Sequence, residues 1–152
     1  MELESIRRAG SPLQSHFEFF TEQEPAPENQ HQNFYWELDL LGIPVSLHPL
    51  DMVTHDIGEV TPLTALTDQE PGHVRVAGTR LPGWGGGSRG FLLSDHTGFV
   101  QVHLERGRNY RRARIPAWVP LVLEAQWRRD QWGSGWLDVE RFEVLPMKPS
   151  SE

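Results

Sequence analysis

The stretch Phe91-Leu92-Leu93-Ser94-Asp95-His96-Thr97-Gly98-Phe99-Val100-Gln101-Val102-His103-Leu104 decides the fold. Asp95-His96-Thr97-Gly98 is turn chemistry, because an Asp side chain bonds its own backbone two residues on and Gly frees the chain to reverse. Strand-forming residues flank it on both sides. In the second run Val100, Val102 and Leu104 share one side, and Phe99, Gln101 and His103 the other. That period of two is a half-buried strand. The stretch therefore predicts a hairpin with valines inward and Phe99, Gln101 and His103 outward.

The same texture continues on both sides. From His73, Val74 and Val76 alternate with Arg75 and Ala77, a first strand. Pro82-Gly83-Trp84-Gly85-Gly86-Gly87-Ser88 reads as a long loop before the hairpin. Residues 105–114 form a basic connector, Val119 to Trp127 a fourth strand, Arg128 to Gly135 a loop, and Trp136 to Leu145 a fifth strand. The apolar phase slips between Val139 and Phe142, which predicts a bulge there. Five strands, a glycine-rich first loop and a connector between the third and fourth predict a mainly β fold, a five-stranded OB-fold barrel over residues 73–146. An SH3-like barrel and a small sandwich are the alternatives.

A short helical and irregular segment precedes the barrel. Glu22 to Gln32 has no apolar residue larger than Ala and Pro, too little to offset the entropy of ordering. Residues 1–33 are expected to be a flexible segment and linker, carrying a small cluster of Phe17, Phe19 and Phe20. Residues 34–72 are expected to be a connector. In it Asn33 caps a helix that ends at Gly42, with Phe34, Leu38 and Leu41 on one face. His48-Pro49-Leu50-Asp51 starts a second helical turn, and Thr61 to Gly72 reads as irregular. Residues 147–152 are expected to be a disordered tail.

At 152 residues the chain has room for one domain and its flanks. No apolar run approaches the roughly 20 residues of a membrane helix. Cysteine is absent, which excludes disulfides and thiolate metal sites and suits the cytoplasm. The net charge of −7 conceals an asymmetry: residues 1–72 carry thirteen carboxylates against Arg7 and Arg8, whereas residues 73–152 carry twelve basic groups against eight acidic ones. A basic back half points to nucleic acid.

One further stretch narrows the reading. Leu40-Leu41-Gly42-Ile43-Pro44-Val45-Ser46-Leu47-His48-Pro49-Leu50-Asp51 resembles the C-terminal region of bacterial DNA polymerase III alpha subunits, including their error-prone relatives. There, too, an acidic helix runs into Leu-Gly and then His-Pro-Leu. Val74-Arg75-Val76-Ala77-Gly78, Phe91 to Asp95 and Thr97-Gly98 are similar to the strands that follow in that family. Ile43 and Leu47 depart from the aromatic and the small residue common there. The resemblance covers residues 34–145, and leaves no room for a polymerase palm or phosphoesterase domain. It implies a non-catalytic relative of the polymerase tail, a cytoplasmic, nucleoid-associated bacterial protein that meets single-stranded DNA in replication or repair.

An OB-fold binds single strands by stacking bases on aromatics beside a positive groove. On position, the expected nucleic-acid residues are Phe99, Gln101 and His103 on the third strand, Trp84 in the first loop, Trp132 in the last loop beside Arg128 and Arg129, and Arg75, Arg80 and Arg89 around the first two strands. Trp118, Trp127 and Trp136 are expected to pack in the core or at a barrel end. The run Arg106, Arg108, Arg111, Arg112 and Arg114 is either a solvated face or an extension of the positive track. Gln14, Phe17 and Phe19 have the spacing of a sliding-clamp peptide, which keeps open a module that docks on a polymerase or clamp without touching DNA. An RNA-binding barrel is a further alternative. No enzyme activity, cofactor or metal is expected: the seven His residues lack metal-ligand spacing, and Gly85-Gly86-Gly87 lacks the Lys-Ser/Thr of a phosphate loop.

Overall fold

The computed structural model describes residues 29–83, 89–104 and 115–150. Five strands follow the pre-barrel segment: β1 (Gly72–Arg80), β2 (Gly90–Ser94), β3 (Phe99–Leu104), β4 (Pro120–Arg129) and β5 (Gly135–Val144). They close in the order β1-β2-β3-β5-β4, with β4 returning to β1. Every pairing is antiparallel except β3 with β5. This strand order with its parallel closure is an OB-fold barrel.

Alternation builds the core. Val74 and Val76 of β1, Phe91 and Leu93 of β2, Val100, Val102 and Leu104 of β3, Leu121, Leu123, Ala125 and Trp127 of β4, and Leu137 and Val139 of β5 are buried together. The bulge falls where the phase slip predicts. Glu124 pairs with Arg141 but Ala125 pairs with Val139, leaving Glu140 as the extra residue on β5. β4 runs two residues beyond its expected end, because Arg128 and Arg129 pair with Trp136 and Gly135 across a short loop.

The Asp95 turn does more than reverse the chain. Asp95 Oδ1 accepts the N–H groups of Thr97 and Gly98 at 2.7 and 2.9 Å. Its Oδ2 accepts the Leu63 N–H at 2.9 Å. Partial burial works to raise its pKa, but the bonds from Leu63, Thr97 and Gly98 outweigh it and hold the carboxyl below its usual range. Leu63 opens a 3-10 turn, Leu63–Asp68, in a region the sequence reads as irregular. Leu63 and Leu66, three apart and so on one side of a 3-10 turn, enter the barrel core.

Upstream, α1 spans Gln30–Leu41. Its cap is Asn29, not the expected Asn33: the Asn29 side chain accepts from Gln32 N–H, and Asn33 lies a turn inside. Both asparagines can cap, and Gln-His-Gln between them tolerates helix, so the sequence leaves the start open. The helix ends as expected at Gly42, whose φ of 73° is left-handed and whose N–H donates to the Leu38 carbonyl at 3.1 Å. The expected Phe34, Leu38 and Leu41 face is only partly used, since Phe34 is buried while Leu41 is exposed. The helix is instead fixed at points: the Tyr35 hydroxyl donates to the Lys148 carbonyl, and Trp118 Nε1 donates to the Gly42 carbonyl.

His48 caps a 3-10 turn, Pro49–Met52, its Nδ1 accepting the Leu50 N–H at 3.1 Å while Asp51 Oδ2 accepts the His48 N–H at 3.0 Å. Its ring lies 4.6 Å from that of His96, whose Nε2 is 3.1 Å from Asp51 Oδ1. Burial, then the neighbouring His96, lower the His48 pKa. The turn leads to a second apolar cluster outside the barrel, where Leu50, Val53, Ile57 and Val60 pack on Ala77, Val122 and Leu145. Met147 and Lys148, which the sequence places in the tail, are tied here. Met147 bridges to Val53, and the Lys148 N–H donates to the Met52 carbonyl at 2.7 Å.

Candidate nucleic-acid interface

Residues paired directly across a sheet share a face, so the register assembles the outer surface. Gln101 of β3 pairs with Leu92 of β2 and Trp136 of β5, and Trp136 pairs with Arg128 of β4. One row thus runs Leu92, Gln101, Trp136, Arg128. The next runs Gly90, His103, Asp138, Gln126, His73. Phe99 opens β3 beyond these rows and is 71% exposed.

The structure brings several expected residues together here. Phe99 and Gln101 are exposed, and His103 is half-buried with its ring stacked on Trp136 at 5.8 Å and 21°. Trp132 is 82% exposed at the tip of the β4–β5 hairpin. The hairpin is braced beneath it: Asp130 Oδ1 accepts the N–H groups of Trp132 and Ser134, both at 2.8 Å. Arg128 and Arg129 end β4 at the base of that hairpin, and both are exposed. With Pro71, Gly72 and Trp136 they border a shallow cleft. Arg89 is exposed beside β2, its carbonyl accepting the Leu104 N–H.

Two expected arginines do not join this face. Arg80 is 7% exposed, with its Nε enclosed. The cause is phase: Val74, Val76 and Arg80 fall on the same, inward side of β1. Arg75 does point outward, but over another part of the barrel. It is in register with Glu124, and its Nη1 donates to the Glu59 carbonyl at 2.9 Å, so it braces the pre-barrel loop. Trp84, Gln14, Phe17, Phe19 and the arginines of the 105–114 connector lie outside the described residues.

Trp136, expected with Trp118 and Trp127 to pack in the core or at a barrel end, is not among the residues that sequence reasoning assigns to the interface, and it is half-buried on this outer face. Trp127 packs in the core, and its indole N–H donates to the Gln69 carbonyl. Trp136 alternates with Leu137 and Val139, a phase that carries the outward signal. Its partner His103 is set only by barrel closure.

The face is also less cationic than the expected positive groove. Arg128 Nε forms an ion pair with Asp138, the residue opposite His103. Glu140 accepts from Gln126 at 2.7 Å and lies 3.4 Å from His73 Nε2. Further round the barrel Glu124 meets Arg141 at 3.6 Å. Carboxylates therefore occupy the β5 side of the aromatic surface, and ring stacking outweighs charge as its chemical offer. Among the described residues no cluster of three or more His, Cys, Asp or Glu could hold a metal ion, and no helix is long and apolar enough to cross a membrane.

No protein-family model matches this chain, and no curated protein matches it. Among solved structures it is similar to the hypothetical protein ygiW from E. coli, at 15% identity and TM-score 0.48, over 59% of this chain and 94% of that one. It is similar to asparaginyl-tRNA synthetase from Pyrococcus horikoshii, at 17% identity and TM-score 0.48, over 60% of this chain and only 23% of that enzyme. Telomere capping protein Ten1 from Saccharomyces pombe is similar at 18% identity and TM-score 0.43, over 55% of this chain and 77% of that one. The assignment of the barrel rests on its own strand order and register.

Proposed function

We propose that this chain binds single-stranded DNA, without catalysing a reaction on it, through the outer face of β3 and β5 and the β4–β5 hairpin. The observation that carries the reading is the exposure of two large rings, Phe99 at 71% and Trp132 at 82%, on a barrel whose core is already filled. Rings left in water on a braced scaffold are what base stacking uses. Trp136, stacked on His103 and in register with Gln101, offers a further platform on the same face. Arg129 and Arg89 supply phosphate contacts, and Arg128 contributes less because Asp138 already meets it.

We further infer kinship with the tail of bacterial DNA polymerase III alpha subunits and a role in replication or repair. The likeness of Leu41-Gly42, His48-Pro49-Leu50 and Val74 to Gly78 to that family supports this reading. Titration of the intact chain with oligo-dT at low salt, followed by tryptophan fluorescence, tests the binding. Saturable quenching is expected. Absence of quenching refutes the reading, and tighter binding of an RNA of equal length replaces it with an RNA-binding barrel.

A further inference from the structure

An aliphatic knuckle stands apart from the aromatic face. At the end of α1 and in the turn beyond it, Leu40 is 79% exposed, Leu41 62%, Ile43 46% and Val45 66%. This is not a loose end. Glu37 Oε2 accepts the N–H groups of Val45 and Ser46 at 2.6 and 2.9 Å, and the Ser46 hydroxyl donates to its other oxygen. The Gly42 carbonyl, between the exposed side chains, accepts Trp118 Nε1 at 2.9 Å and so ties the knuckle to the barrel. Four aliphatic side chains are thus held in water by a backbone already ordered, which lowers the entropic cost of docking.

Charge narrows what can cover them. Glu37, bonded to the knuckle, and Asp39, next to Leu40, are its own charged side chains, and residues 29–72 as a whole carry no Lys or Arg. Two carboxylates beside the exposed aliphatics, in a segment without Lys or Arg, disfavour a nucleic-acid backbone there. The same face of a second copy is repelled as well, since a two-fold contact sets like charges against like. We propose that the 40–45 knuckle docks into an apolar recess, rimmed by Lys or Arg, on a different protein. The inference is independent of the nucleic-acid reading.

The test places a photo-crosslinking benzoylphenylalanine at Leu40 of the full chain, in cells of its own source, and identifies the adduct and its crosslinked residues by mass spectrometry. The expected adduct is one protein, crosslinked within an apolar recess bordered by basic residues. That protein, purified, should then bind the wild-type chain and lose at least about tenfold in affinity for Leu40→Asp/Val45→Asp. The variant should keep its melting temperature and its oligonucleotide affinity, because both side chains are exposed and lie off the aromatic face. Adducts only with nucleic acid or with a second copy overturn the proposal. So do the absence of a discrete adduct, a recess rimmed by carboxylates, and a partner affinity indifferent to the double substitution.

Discussion

Phe99→Ala and Trp132→Ala separate binding from folding more cleanly than any other pair on this barrel. Both rings are mostly in water, and neither belongs to the buried cluster. Truncating such side chains changes stability by no more than about 0.5 kcal/mol. A base stacked on an aromatic is worth about 1–3 kcal/mol on alanine substitution. At the lower limit each variant loses about fivefold in affinity, since 1.4 kcal/mol is about tenfold. With one base stacked on each ring the two losses should multiply, and the double variant should lose about 30-fold or more. The assay is fluorescence anisotropy of a labelled oligo-dT at fixed low salt, with thermal melts of all four proteins in parallel. Unchanged affinity in the double variant, with melting temperatures preserved, would falsify stacking on this face. A large drop in melting temperature would instead show that the rings are structural.

Four other outcomes follow from the geometry. Asp138→Asn removes a carboxylate from the face and releases Arg128, so oligonucleotide binding should tighten a few-fold in the same anisotropy assay; weaker binding would contradict the electrostatic reading. Arg129→Ala should flatten the plot of log affinity against log salt by about 0.7, the share of one phosphate contact on a single strand, and more than Arg128→Ala does. Gly135→Ala places a Cβ 1.9 Å from Trp127 Cη2, so the core indole must move, and urea denaturation should report a loss of about 1–3 kcal/mol. Acid should destabilise the fold in two windows. His48 has a lowered pKa in the folded state, so its protonation favours unfolding, and stability should begin to fall below about pH 6.5. Asp95 also has a lowered folded pKa, and its contribution is present above about pH 3.9 and lost below it. Melting temperatures across pH 3 to 8 should lose the upper step in His48→Gln, and the lower one should shrink in Asp95→Asn, the Glu37 carboxylate that holds Val45 and Ser46 carrying the remainder.

Local chemistry was legible in the residues. The Asp95 to Gly98 turn, the in–out phase of β3, the Gly42 helix stop and the β5 bulge all follow from period and turn preference, which act over a few residues. The exposure of Phe99 followed from the same alternation. Arg80 shows that alternation has to be followed to the end of a strand, because the phase that buries Val74 and Val76 also turns Arg80 inward. Tertiary structure alone decided the rest. Asn29 and Asn33 can both cap locally, and the longer α1 that forms buries Phe34 and carries the Tyr35 hydroxyl to the Lys148 carbonyl, contacts no local period encodes. Trp136 meets His103, and Arg128 meets Asp138, because β5 closes the barrel between β3 and β4. No local period encodes which strands become neighbours, since that choice is made by burying thirteen inward side chains in one common core.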